Sequence, residues 1–185
     1  MGQRLVGPGP TDGMEEPVLC FDRDGTVDVN PPREGRAVPL SWLQYYAHHT
    51  DHDVWATGNP RLCREAGIPS PREARDLLVA AGHDPVAVYN RMNTGRIDRL
   101  RLLAQLYGET YDHEVRFVVV DDADVTGFTD GRPWSYYRPD GFVAAVEAGS
   151  LPEPDPDPVS GRPYGSAERG TCYRSQLDRF DRRLS

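Results

Sequence analysis

The chain has 185 residues, of which 38% are apolar and 27% are charged, and this length predicts one domain with a single core. It contains no run of about 18 apolar residues, so we expect no membrane span. The N-terminus lacks the apolar stretch of a signal peptide, and we therefore expect a cytoplasmic protein. Its three cysteines contain no C-x-x-C pair and predict reduced thiols rather than a disulfide framework or a zinc ribbon.

The charged residues have an unusual composition. All 21 basic residues are arginine, 19 of the 29 acidic residues are aspartate, and the net charge is -8. This bias resembles the proteins of salt-accumulating halophilic archaea, whose acidic surfaces stay hydrated when salt screens their charges. The alternative is a genome rich in G and C, which favours arginine codons. In either case the negative charge argues against a general nucleic-acid coat protein.

The two ends of the chain differ from its middle. Residues 1–16 are rich in glycine, proline and polar groups, and they predict a flexible segment. We expect the folded domain to cover residues 17–149. A tail over residues 150–185 follows, and its run LPEPDPDPVSGRPYG is unsuited to a helix or a strand. A short terminal helix is predicted over residues 176–184, with one apolar face formed by Leu177, Phe180 and Leu184.

Short apolar runs alternate with amphipathic helical patterns in the middle of the chain. Helix starts are predicted at Ser41, with Gln44, and at Ser70, with Pro71 and Glu73. The alternation predicts a doubly wound, Rossmann-like α/β domain with a parallel sheet of about five strands. The predicted strands are Val18–Phe21, Val54–Ala56, Val86–Tyr89, Phe117–Val120 and Trp134–Tyr137.

Polar residues follow three of these strands, at the sheet edge where α/β proteins bind ligands. The sequence DRDGT, with Asp22 and Asp24, follows the first strand, and Asp121 and Asp122 follow FVVV. Converging carboxylates repel one another unless a hard cation neutralises them, and oxygen ligands suit Mg²⁺. This pattern predicts a site where one carboxylate attacks phosphorus and another, two residues away, handles the proton of the leaving group. Thr57, which ends the VWAT run, is suited to hold a phosphoryl oxygen.

These motifs resemble those of the haloacid dehalogenase superfamily. VLCFDRDGT is similar to its first motif, VWATGN to its second and FVVVDD to its fourth, and the resemblance covers about residues 18–148. It implies an Mg²⁺-dependent phosphohydrolase that works through an aspartyl-phosphate. It further implies that Asp22 is the nucleophile and that Asp24 is the acid and base, which also binds Mg²⁺ through its backbone carbonyl.

The resemblance also assigns roles near the third and fourth motifs. The third motif usually supplies a lysine, which this chain lacks, so its role falls to Arg96, with Arg99 as the alternative. Asp122 is expected to bind the metal directly and Asp121 to support it, with Asp124 as a further candidate. The expected phosphate-binding residues are Thr57, Gly58, Asn59 and Arg96.

The spacing of the motifs limits the substrate. Only 34 residues separate Asp22 from Thr57 and 38 separate Thr57 from Arg96, which leaves no room for a full cap domain. In the family such an open site goes with macromolecular substrates or with oligomers whose neighbours form the lid. One alternative is a 3′-phosphatase acting on nucleic-acid ends, although no strongly basic stretch supports it. The other is a catalytically silent binding domain, because the motif lysine is missing.

Three further segments have two interpretations each. Residues 27–40 predict a hairpin-like lid whose Arg33 and Arg36 meet an anionic substrate, or else carry solvated charges. The run HHTDHD over residues 48–53 is interpreted as a polar helix end and loop in preference to a transition-metal site. For the aromatic residues of the last strand, core packing is favoured over base stacking; they are Trp134, Tyr136 and Tyr137.

Overall fold

The structure is a computed structural model that describes residues 16–92, 95–126, 133–151 and 176–184. Within these residues four strands form one parallel sheet: β1 (Val18–Phe21), β2 (Val54–Ala56), β3 (Phe117–Val120) and β4 (Trp134–Tyr137). Their order across the sheet is β2-β1-β3-β4, so β1 and β3 lie at its centre. The predicted flexible N-terminus and the proline-rich part of the tail fall outside the described residues, apart from their edges.

Helices cover both faces of this sheet. Because successive strand residues point to opposite faces, Leu19 and Phe21 pack with α1, α2 and α6, whereas Val18 and Cys20 pack with α3, α4, α5 and α7. This arrangement is compatible with the predicted doubly wound, Rossmann-like domain. No helix in the described part of the chain has the length and apolar character that crossing a membrane requires. The helices are α1 (Leu40–His49), α2 (Arg61–Ala66), α3 (Pro71–Ala80), α4 (Pro85–Met92), α5 (Arg96–Thr110), α6 (Pro139–Glu147) and α7 (residues 176–184).

The predicted strand Val86–Tyr89 is wrong, because these residues form part of α4. The side chain of Asp84 accepts a hydrogen bond from the backbone N–H of Val86 (3.2 Å), and Pro85 occupies the first turn. Both features start helices. Val88 is buried whereas Val86 and Tyr89 are exposed, so the run does not enter the sheet. The described sheet therefore has four strands instead of about five.

The two predicted helix starts have different outcomes. The capping box at Ser70 is confirmed, since Ser70 and Glu73 bond reciprocally to the backbone at the start of α3. The capping box predicted at Ser41 is wrong, because α1 begins one residue earlier, at Leu40, and its N-cap residue Pro39 makes no side-chain hydrogen bond to the helix. Its first backbone N–H donates to the carboxylate of Asp28 (3.0 Å), and Gln44 donates to a backbone carbonyl of α2 (3.0 Å). A cap from a distant loop leaves no local sequence signal.

The C-terminal helix α7 is part of the hydrophobic core. Phe180 is fully buried and meets the rings of Trp55 and Tyr107 edge to face. Leu177 and Leu184 pack against the same core, so the apolar face predicted for this helix is confirmed. The folded core therefore extends past residue 149, the end expected from the sequence.

Candidate active site

The carboxyl ends of β1, β2 and β3 lie side by side because the strands end in register. The backbone N–H of Asp22 donates to the carbonyl of Val120 (3.0 Å), and that of Thr57 donates to the carbonyl of Phe21 (2.9 Å). Asp121 directly follows Val120. The structure thus brings the residues after three strands to one edge of the sheet, where parallel α/β proteins bind ligands.

Three carboxylates form a cluster at this edge. Asp22, Asp121 and Asp122 each offer an oxygen atom, and these atoms lie within 4.8 Å of one another. Asp22 and Asp121 are buried, whereas Asp122 is exposed. The guanidinium of Arg96 forms an ion pair with Asp121 and lies 3.7 Å from Asp22 and 3.6 Å from Asp122. One arginine therefore faces all three acids.

The electrostatics of the cluster are unbalanced. Burial raises the pKa of both Asp22 and Asp121, because desolvation disfavours a carboxylate. The positive charge of Arg96 lowers both values, but the net shift remains upward for each. When both groups are ionised, the cluster thus carries more negative charge than Arg96 balances. An added cation would be stabilised there.

Two buried polar atoms lack a partner at this edge. Neither Asp22 Oδ2 nor the Thr57 hydroxyl has a hydrogen-bond partner within the described residues. Buried polar atoms of this kind are costly unless a ligand, an ion or water satisfies them. Carboxylate oxygens are also the ligands that Mg²⁺ prefers. The residues present therefore fit a magnesium ion held by Asp22 and Asp122, with Asp121 beside them.

Two glycines let the backbone approach these carboxylates closely. A Cβ atom at position 58 would overlap the carboxylate of Asp22, and one at position 25 would overlap that of Asp122. Gly25 also has a φ of +72°, which L side chains rarely adopt. Of the predicted phosphate-binding residues, Gly58 thus has a distinct role: its missing side chain leaves the space that Asp22 occupies.

Asp24 is held by three N–H donors. Asn30 Nδ2 (2.9 Å) and Arg23 Nη1 (2.6 Å) donate to Oδ1, and Asn59 Nδ2 (3.0 Å) donates to Oδ2. The hydrogen bonds from Asn30 and Asn59, followed by that from Arg23, lower the pKa of Asp24 to about 2. In this arrangement Asp24 is a carboxylate whose two oxygens both accept hydrogen bonds.

Two alternatives drawn from the sequence lie elsewhere. Asp124 accepts hydrogen bonds from the backbone N–H (2.9 Å) and the hydroxyl (2.6 Å) of Thr126, and it is not a member of the carboxylate cluster. Arg99 donates to the backbone carbonyl of Thr57 (3.4 Å). The structure therefore brings Arg96, and not Arg99, to the acids.

The segment over residues 27–40 differs from the predicted hairpin-like lid. Val27 and Val38 are fully buried and form an isolated parallel bridge, whereas a hairpin requires antiparallel pairing. Arg36 forms an ion pair with Glu147 of α6 on the surface. Arg36 is thus an exposed surface charge paired with Glu147, and its contact with an anionic substrate stays a prediction.

The segment over residues 48–53 and the aromatic residues of β4 have structural roles. The His- and Asp-rich stretch ends α1 and leads into β2, and His48 and His52 each contact a backbone carbonyl, at 2.7 Å and 2.8 Å. Trp134 stacks on Phe117 with 4.3 Å between ring centroids. These are the structural roles that the sequence favoured over metal binding and base stacking.

The contacts of three residues with the site were not predicted from the sequence. Asn30 reaches Asp24 from a loop, and Glu65 of α2 bonds to Arg23. The hydroxyl of Tyr136 donates to the backbone carbonyl of Asp121 (3.0 Å). Each reaches the site through a tertiary contact, so the rule that functional residues follow strands gives no signal for them.

The chain matches no protein-family model, no curated protein and no solved structure. A functional assignment therefore rests on the motifs and on the geometry of the site.

Proposed function

We propose that the protein is an Mg²⁺-dependent phosphohydrolase of the haloacid dehalogenase type, which hydrolyses phosphomonoesters through an aspartyl-phosphate. The proposal rests on one observation. The buried Asp22 carboxylate lies beside two further acids, Arg96 and a Thr57 hydroxyl that has no partner among the described residues, at the carboxyl edge of a parallel sheet. A nucleophile, a cation site and phosphate-binding groups are the parts that phosphoryl transfer requires.

The first step forms the intermediate. A carboxylate oxygen of Asp22 bonds to phosphorus while the bond between phosphorus and the leaving oxygen breaks. An alkoxide leaving group takes a proton from the carboxyl form of Asp24, whereas a leaving group that is stable as an anion needs none. Thr57 and Arg96 hold the phosphoryl oxygens. Asp22 and Asp122 would hold the Mg²⁺ ion, which would neutralise the phosphoryl charge.

The second step releases phosphate. Water bonds to phosphorus, Asp24 accepts its proton, and the bond between phosphorus and Asp22 breaks, which regenerates the Asp22 carboxylate. The donors around Asp24 favour the ionised form from which this step starts, and they disfavour the carboxyl form that the first step needs for an alkoxide leaving group.

Turnover of p-nitrophenyl phosphate tests the proposal. We expect hydrolysis that requires Mg²⁺, stops on addition of EDTA and falls at least about a thousandfold in Asp22→Asn. Asp76→Asn is the matched control, because Asp76 is an exposed acid on α3 that pairs with Arg75 (2.8 Å). Turnover that Asp22→Asn leaves unchanged would rule out the nucleophile.

A second candidate is a catalytically silent phosphate-binding domain. It is favoured by the position of Arg96, which already supplies a positive charge to all three acids. Beryllofluoride separates the two candidates, since it mimics a phosphoryl group on an aspartate. An active site takes it up on Asp22 in the presence of Mg²⁺ and gains thermal stability, whereas a silent domain shows no change.

A further inference from the structure

Arg23, the residue between the two acids of the first motif, connects Asp24 to helix α2. Its Nη1 donates to Asp24 Oδ1 (2.6 Å), while Nε and Nη2 donate to the two carboxylate oxygens of Glu65, at 2.6 Å and 3.3 Å. The side chain of Arg23 is only 12% exposed and that of Glu65 27%. A two-bond, partly buried pair of this kind fixes a guanidinium in one orientation.

Glu65 is itself anchored. Its backbone carbonyl accepts a hydrogen bond from Gln44 of α1 (3.0 Å), so α2 is tied to the neighbouring helix. A continuous chain of contacts thus runs from α1 through Glu65 and Arg23 to the carboxylate of Asp24.

A second contact from the start of α2 acts on the same carboxylate. Asn59 Oδ1 accepts the backbone N–H of Arg61 (3.0 Å), which orients the amide so that its Nδ2 donates to Asp24. The Asp24 side chain is 46% exposed, so its rotamer depends on these donors and on Asn30, which also donates to Oδ1 (2.9 Å). Two of the three donors to Asp24, Arg23 through Glu65 and Asn59 through Arg61, therefore depend on α2.

We infer that Glu65 is a positioning residue for the reaction: through Arg23 it holds the Asp24 carboxylate where it transfers protons. The inference rests on the proposed function and adds a residue of α2 that does not touch the reacting atoms. Proton transfer requires the donor and acceptor to be correctly placed before the reaction, so a rotated Asp24 loses rate without loss of the fold.

Two substrates separate positioning from a general structural effect. The ratio kcat/KM reports the steps up to formation of the aspartyl-phosphate. An alkyl phosphate such as glycerol 2-phosphate needs a proton on its leaving oxygen in that step, whereas p-nitrophenyl phosphate does not. We expect Glu65→Gln to lower kcat/KM for the alkyl ester about tenfold or more and to change it less than about twofold for the aryl ester.

A double-mutant cycle tests whether Glu65 acts through Asp24. If Glu65 acts through Asp24, then Glu65→Gln has no further effect on the alkyl ester in an Asp24→Asn background. Arg23→Ala cuts the same connection from its other end and should reproduce the substrate-dependent loss, which provides a second variant if Glu65→Gln folds poorly. Glu109→Gln is the matched control, since Glu109 on α5 pairs with His83 (2.8 Å) and its side chain is 37% exposed.

The outcomes are distinct. Equal losses of kcat/KM for both esters, or a Glu65→Gln effect that persists in Asp24→Asn, would overturn the positioning role. The contact between Arg23 and Glu65 would then only stabilise the packing of α2 against the loop after β1. If the wild-type protein shows no turnover that depends on Asp22, the proposed function itself fails.

Discussion

A single guanidinium, that of Arg96, faces three carboxylates at the ends of β1 and β3. Burial raises the pKa of Asp121, so the folded protein binds a proton at this site more tightly than the unfolded chain does. As the pH rises from the ordinary carboxyl pKa through the raised value, this group therefore lowers the stability of the metal-free fold. At pH 8 the charged Asp121 opposes folding.

Because charged Asp121 destabilises the metal-free fold, replacing it with asparagine should raise thermal stability most at high pH. In EDTA at pH 8 we expect the variant to unfold about 2–4 °C above the wild type, which corresponds to about 1 kcal/mol for a chain of this size. Asparagine keeps the acceptor for the backbone N–H of Ala123 (2.9 Å) and removes the charge. Thermal unfolding from pH 5 to pH 8 measures the difference, which should shrink towards acidic pH. A constant difference, or a loss at pH 8, would contradict the electrostatic explanation.

Gly58 provides a steric test of the same site. We expect Gly58→Ala to lower kcat at least about tenfold, because the added Cβ overlaps the Asp22 carboxylate and displaces it. Gly108→Ala is the control, since a Cβ at that helical position meets nothing within 4 Å. The control should keep its activity, and steady-state kinetics compare the two. Full activity in Gly58→Ala would show that Asp22 does not need its present position.

Residues that directly follow strands were predictable, and those that support them were not. Asp22, Thr57 and Asp121 come together because parallel strands end in register, a consequence of the apolar runs that precede them. Glu65 lies 42 residues from Arg23 in the sequence, and the contact depends on where α2 packs. No local spacing encodes such a contact.

At the scale of elements, α7 closes one face of the sheet. Phe180 fills a cluster of rings with Trp55, Tyr107 and Tyr111, and Gln176 bonds to both the N–H (3.3 Å) and the carbonyl (3.4 Å) of Val54. Since β2 lies at the edge of the described sheet, this amide pairs with backbone groups that no described strand reaches. The helix therefore contributes packing and edge protection together.

The packing of α7 predicts a large effect of one truncation. We expect Phe180→Ala to lower the free energy of unfolding by about 3–5 kcal/mol, the usual cost of deleting a buried aromatic ring. Asp181→Ala on the same helix replaces an exposed residue and should change stability by less than about 0.5 kcal/mol. Urea denaturation measures both. A loss below about 1 kcal/mol in Phe180→Ala would mean that α7 is not part of the cooperative core.

The helices and strands also show which sequence patterns predict secondary structure and which do not. The strands β1 and β3 were predictable because four apolar residues precede acids, and α3 because Ser70 and Glu73 form a local cap. The run Val86–Tyr89 has the same apolar character as a short strand, but Asp84 and Pro85 start a helix there. The apolar face of α7 was visible in the sequence, whereas its partners across the core were not.

At the scale of the whole molecule, an acidic protein is proposed to act on an anionic substrate. The net charge of -8 repels phosphate esters at low ionic strength. In 1 M salt the Debye length falls to about 3 Å, so this repulsion is screened while the buried cluster around Asp22 is affected much less. Measurements of the site's chemistry are therefore best made at high salt.

Borohydride reduction tests whether Asp22 becomes phosphorylated. Borohydride reduces an aspartyl-phosphate to homoserine but leaves a free carboxylate intact. When the wild-type protein is mixed with Mg²⁺ and p-nitrophenyl phosphate in high salt and then quenched with borohydride, peptide mass spectrometry should find homoserine at position 22. The signal should vanish with EDTA. Homoserine at another aspartate, or none at position 22 while turnover proceeds, would contradict the proposed mechanism.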